Sequence, residues 1–162
     1  MVSPLNTQPA SAERRLRELG IELPPAPTPL GAYAESVQTG NLLYLSGMLP
    51  VVGREPKFVG RLGKELDAEQ GREATRIAAL NILSTVRNYL GSLDKVTGVV
   101  KLAVYLATEG DFFAQPKVAD AASELLRDVF GAEMLPVRVV LGVASLPLGM
   151  PVELEVVLEV EG

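Results

Sequence analysis

The chain contains no cysteine, no histidine and no tryptophan. Without cysteine there is no disulfide and no thiol nucleophile, and with histidine also missing there is no Cys/His zinc site. A Ser-His-Asp triad is excluded for the same reason, so acid–base chemistry falls to Glu, Asp, Lys, Tyr or bound water. No acidic run has the spacing of a calcium loop, and neither a metal nor a cofactor is expected. No apolar run approaches the ~20 residues of a membrane span. The opening MVSPLNTQPASAERR lacks the charged start and apolar block of an export signal, so a cytoplasmic location is the expectation. The net charge of −5 speaks against a broad phosphate-binding surface, and nucleic acid is a disfavoured partner.

What is present suits one globular domain: 162 residues, 48% of them apolar and 22% charged, are enough to build a real core. Residues 1–27 read as a tail followed by a short helix, and residues 28–162 as the main domain. Within the first part, residues 1–10 read as a loosely held tail. Ser11 caps SAERRLRELG, and Pro24, Pro25, Pro27 and Pro29 then enforce extended or turn structure. A hairpin follows, with strands at 34–37 and 42–46 about Thr39-Gly40-Asn41. The loop 48–66 carries Arg54, Lys57, Arg61 and Lys64, which read as a solvated rim, as do Arg72, Arg76 and Arg87 on the next helix. That helix is capped by Asp67 and ended by Gly91, with Gly71 pushing its start towards Arg72. Residues 96–107 form a strand apolar on both faces, fit for the middle of a sheet. A second helix takes Pro116 in its first turn and ends at Gly131.

The stretch LPVRVVLGVASLPLGMPVELEVVLE reads as two strands joined by a short turn. Val137, Val139, Leu141 and Val143 alternate with Arg138, Val140 and Gly142. Val152, Leu154, Val156, Leu158 and Val160 alternate with Glu153, Glu155, Val157 and Glu159. Arg138 on a strand presents a planar fork suited to a carboxylate, and a neighbouring Glu can orient water or move a proton. The competing reading is a surface Arg–Glu cross-strand pair. The order hairpin, helix, strand, helix, hairpin gives an α+β fold, two helices laid on one face of a mixed sheet. Nothing in the chain is left to cover the opposite face, which predicts a homo-oligomer.

Three segments resemble the RidA/YjgF family, also called endoribonuclease L-PSP or reactive intermediate deaminase. These are PLGAYAESVQTGNLLYLSG, GSLDKVTGVVKLAVYLATEGDF and LPVRVVLGVASLPLGMPVELEVV, in the family's order and spread over about residues 28–160. The resemblance implies a chorismate-mutase-like fold and a homotrimer whose inner sheets form a barrel, with sites in clefts between subunits. It implies hydrolysis of 2-imino or enamine carboxylic acids to 2-oxo acids and ammonia, and a small carboxylate-bearing metabolite as ligand. By position, Arg138 matches the carboxylate clamp and Glu153 the residue that positions water. Tyr33 and Ser46 match pocket-lining hydroxyls.

Departures from the family pattern are Pro116, flanked by Gln115 and Lys117, Val139-Val140 after the signature Arg, Gly142 in place of Glu, and a longer loop 48–66. They leave two alternatives to the hydrolase. One is a trimer that binds a carboxylate metabolite without chemistry. The other is a ribonuclease or translation inhibitor, against which both the acidic charge and the missing histidine count.

Overall fold

The computed structural model describes residues 11–162, so the tail expected over residues 1–10 lies outside the described residues. Helix α1 (Ala12–Glu18) begins at Ser11, whose Oγ accepts a hydrogen bond from the Arg14 N–H. Strands β1 (Ser36–Thr39) and β2 (Leu42–Leu45) form the first hairpin, and β3 (Val51–Val52) pairs with β4 (Glu55–Pro56) inside the following loop. Helix α2 (Ala68–Leu90), strand β5 (Val96–Ala107), helix α3 (Gln115–Phe130), strand β6 (Val137–Val143) and strand β7 (Val152–Val160) complete the chain.

Helix α2 opens on a full capping box: Asp67 accepts from the Gln70 N–H and Gln70 returns the bond to the Asp67 N–H. Gly91 closes it at φ 85, a left-handed position that glycine takes without strain. Gly71 lies inside the helix rather than before it, since the Asp67–Gln70 capping box starts α2 ahead of it, and the Leu62 and Val118 methyls pack closely against it. Helix α3 carries Pro116 in its first turn, where a missing N–H does no harm.

The main sheet runs β1-β2-β7-β5-β6 and is open, not a closed barrel. Here the sequence reading needs correcting. β6 and β7 do not form a hairpin, because β5 lies between them, parallel to β6 and antiparallel to β7. The segment β5-α3-β6 is a βαβ crossover, and α3 supplies the length that parallel pairing demands. The strand apolar on both faces thus takes a central place, as its composition requires.

One face of the sheet packs on α2 and α3. Leu102, Val104 and Leu106 of β5 and Val152, Leu154, Val156 and Leu158 of β7 meet Ala78, Ile82, Val118, Ala122 and Leu125, all buried. Full burial of each Val, Leu or Ile among them stabilises the fold by roughly 1.5–3 kcal/mol. Helix α1 docks beside α3, with Glu13 bonded to Arg87 at 2.7 Å and to the Leu93 N–H at 2.9 Å. The other sheet face is uncovered: Val37, Tyr44, Val139, Leu141 (47% exposed) and Val137 (71% exposed) stand in solvent. No helix among the described residues is long and apolar enough to cross a membrane.

Three of the basic side chains read as a solvated rim are tied down, Arg87 by Glu13. Arg61 donates to the Ala144 carbonyl through Nε and Nη2 (3.1 and 2.9 Å) and to Glu109 through Nη1 (2.9 Å). Arg72 pairs with Glu124 at 2.7 Å and also donates to the Lys117 carbonyl. The loop 48–66 is therefore pinned across the end of β6, and Asn81 holds its β3 end by donating to the Leu49 and Val51 carbonyls.

Candidate functional site

The β2–β7 pairing contains a bulge. From Tyr44↔Val157 to Met48↔Leu154, β2 and its extension advance four residues while β7 advances three. Such an extra residue re-aims its neighbours, and here Ser46 and Gly47 are turned towards Glu153 of β7. A Cβ at Gly47 would run into the Glu153 carboxylate and force it out of its present position. The close approach of backbone and carboxylate is what glycine within a strand path often marks.

Glu153 opens onto a cleft of about 570 Å³ lined by Leu30, Tyr33, Ser46, Gly47, Leu49, Pro147, Leu148 and Glu153 itself. Two of the wall hydroxyls are already engaged, in different senses. Tyr33 Oη accepts from the Leu30 N–H at 3.1 Å, which leaves its own proton to donate into the cleft. Ser46 Oγ donates to the Ala34 carbonyl at 2.6 Å, which leaves its lone pairs to accept. Glu153 is half-buried and has no hydrogen-bond or ion-pair partner among the described residues. Burial first, and the charge of Glu155 second, push its carboxyl above the ordinary Glu value. Desolvation without a compensating cation is the usual way a carboxylate becomes a stronger base.

Leu148, across the cleft, sits at φ 57, ψ 21 and is 62% exposed. A left-handed leucine costs on the order of 1–2 kcal/mol, and strain of this kind is concentrated at ligand-contacting sites.

Arg138 is elsewhere. On β5, Leu102 pairs with both Arg138 and Val156, whereas Tyr105 pairs with both Leu141 and Glu153. Leu102 and Val156 face the helices, so Arg138 rises on the helix side and Glu153 on the open side. Within one chain the two groups lie on opposite faces of the sheet, and the cross-strand Arg–Glu pair considered from the sequence does not exist. Arg138 instead bonds through Nη1 to Asp120 Oδ1 at 2.7 Å and to Ser123 Oγ at 3.1 Å, both on α3. Its strand β6 is the edge of the sheet, so the guanidinium stands at the rim of the protomer.

Tyr33, Ser46 and Glu153 thus share a cleft, and Arg138 lies apart from it. Gly47, Leu148, Asp120 and Ser123 were not anticipated. Only Gly47 left a trace in the sequence, as the glycine of the Ser-Gly pair that follows a strand. At Gly142 a Cβ would approach Thr108 Oγ1 at 2.9 Å, so the glycine there reflects local crowding between β6 and the end of β5.

The family model for YjgF/chorismate-mutase-like endoribonucleases matches residues 13–158. Among curated proteins, "Protein TCP17" of Trypanosoma cruzi is 39% identical over 145 residues, covering 89% of this chain and 91% of its own. A 2-iminobutanoate/2-iminopropanoate deaminase of Dermatophagoides farinae is 31% identical over 142 residues, covering 87% and 95%. The crystal structure of protein Atu1372, of unknown function, from Agrobacterium tumefaciens superposes with a TM-score of 0.84 at 35% identity, covering 93% and 92%.

Proposed function

The chain belongs to the YjgF/chorismate-mutase-like family, the RidA/YjgF family of its sequence motifs, and on that premise we propose that it hydrolyses 2-imino and enamine carboxylic acids. The products are 2-oxo acids and ammonia. The observation that carries the reading is the half-buried Glu153 carboxylate, unpaired and turned into a cleft beside the Tyr33 and Ser46 hydroxyls.

In the proposed step, Glu153 accepts a proton from a water molecule as its oxygen adds to the imine carbon. Glu153 passes that proton to the nitrogen, so the C=N bond becomes the C–N single bond of a carbinolamine. Glu153 then takes the carbinol O–H proton and delivers it to the amine nitrogen, the C–N bond breaks, ammonia leaves, and the oxygen becomes the ketone of the 2-oxo acid. Atoms balance as imine plus water giving ketone plus ammonia. No metal or cofactor takes part, and acid–base transfer by a positioned carboxylate supplies about 10²–10⁴-fold.

Arg138 is the proposed clamp for the substrate carboxylate. Because it stands on the sheet edge and on the other face from Glu153, the two act together only when supplied by neighbouring copies. The uncovered apolar face supports such an assembly, and a homotrimer with three clefts between subunits is the proposed form.

The reading is tested by following ammonia and 2-oxo-acid release from 2-iminobutanoate generated by an amino-acid oxidase. Acceleration by the wild type, with Arg138→Ala raising KM at least about tenfold while the assembly persists, is the expected result. Unchanged turnover by Arg138→Ala would remove the clamp.

A further inference from the structure

Arg138 presents only part of its fork to the rest of the protein. Nη1 is committed to Asp120 Oδ1 at 2.7 Å and Ser123 Oγ at 3.1 Å, while Nε and Nη2 have no partner among the described residues. Nε–H and one Nη2–H point the same way and form the guanidinium edge that matches the two oxygens of a carboxylate. The bonds from α3 therefore occupy the end of the fork and leave its bidentate edge open.

Asp120 and Ser123 are three residues apart on α3, hence neighbours on one helix face. The helix beneath them is anchored by Val118, Ala119, Ala122, Leu125 and Val129, all buried in the core. A long side chain held at one nitrogen by two groups on a packed helix loses little further freedom when it takes a ligand. An unheld arginine must give up the freedom of its rotatable bonds at that moment. Asp120 also brings a competing negative charge. Its side chain is 49% exposed, however, and solvent weakens its repulsion of an incoming anion.

We infer that Asp120 and Ser123 are positioning residues, which fix Arg138 through Nη1 so that its Nε–Nη2 edge meets the ligand carboxylate across the subunit boundary. This rests on Arg138 being the carboxylate clamp. A purely structural role, in which the ion pair only fastens β6 to α3, predicts something different: a lower melting temperature with ligand affinity unchanged.

The test is calorimetric titration of the full chain with 2-oxobutanoate, for the wild type, Asp120→Ala, Asp120→Asn and Ser123→Ala. Imine turnover and melting are measured alongside. Asp120→Ala should weaken binding about tenfold, since the bond it removes is charge-assisted. Asp120→Asn keeps an oxygen acceptor for Nη1 and should return affinity to within about threefold of wild type. If Asp120→Ala does not fold, Ser123→Ala and Asp120→Asn carry the test, with a few-fold loss expected for Ser123→Ala on removal of one neutral acceptor. A folded Asp120→Ala that binds as tightly as wild type, or more tightly, overturns the inference. So does a wild type that does not bind the 2-oxo acid. Binding that follows the expected order without any ammonia release would sink the hydrolase reading and leave the positioning role standing. Imine turnover with KM unmoved by Asp120→Ala would do the reverse.

Discussion

Glu153 is held by features that belong to single residues: the missing side chain of Gly47, the bulge that brings Ser46 round, and the absence of a cation. Its raised carboxyl affinity for protons has two consequences of known sign. As the proposed base it works when ionised, so kcat/KM should fall as pH drops through the raised value, which lies above the ordinary Glu value of 4.5. Its contribution to stability runs the other way: it is fully present below the unfolded-state value and lost as pH rises through the folded one. Glu153→Gln should fold, abolish that limb of the pH–rate profile and lower kcat by about 10²-fold or more, as read by ammonia release across pH. A retained acidic limb in the Gln variant would assign the titration to another group. Arg138 was legible as the one charged residue of an otherwise apolar strand, whereas Glu153 was distinguished from Glu155 and Glu159 only by the family resemblance. Their separation was not legible, since strand alternation fixes a side only once the pairing partner is known.

The elements were read well where a local rule decides them and poorly where a distant one does. Ser11, Asp67 and Gly91 mark helix ends by their own chemistry, and the bounds of β5 followed from apolar residues on both of its faces. The nearness of β6 and β7 in sequence suggested a hairpin, but β5 pairs with both and lies between them. Nothing within the 137–160 stretch reports on a strand thirty residues earlier. Gly71 is a different case, since propensity alone places it outside α2 while the Asp67–Gln70 capping box starts the helix ahead of it. Gly71→Ala gains up to about 1 kcal/mol of helix propensity but overpacks a tight contact at a cost of about 1–3 kcal/mol. A Cβ there would sit 2.9 Å from Leu62 Cδ2 and 3.2 Å from Val118 Cγ1. Urea unfolding should therefore show Gly71→Ala destabilised by about 1 kcal/mol, and a stabilised variant would show that Leu62 yields freely. The α1 contact depends on pH. Burial works to raise the Glu13 carboxyl, but bonds from Arg87 and Leu93 and the charges of Arg87 and Arg17 bring it below the ordinary value. The stability it contributes is present above the ordinary Glu value and lost as pH falls through the lowered one.

At the scale of the whole molecule, the open apolar sheet face and the edge position of Arg138 lead to the same arrangement. In the proposed trimer each cleft takes Glu153, Tyr33 and Ser46 from one copy and Arg138, with its α3 support, from the next. A head-to-tail interface of this kind closes into a ring and repeats the same half-sites at every boundary. The sequence announced an uncovered face but left open whether Val137, Val139, Leu141 and Val143 or the opposite row would form it; sheet order decides for the first. The family resemblance implied sites in clefts between subunits, but that Arg138 and Glu153 lie on opposite faces of one protomer follows from sheet order and was not legible. The most direct measurement is complementation between two impaired proteins, Arg138→Ala and Glu153→Gln, unfolded together at equal concentration, refolded and assayed at substrate well below the wild-type KM. Random reassembly of split sites pairs an intact Arg138 with an intact Glu153 in about one cleft in four, so imine turnover should rise to at least roughly a quarter of the wild-type value. If both groups acted within one protomer, every mixed assembly would lack a complete site, and the mixture would be no more active than the average of its parents.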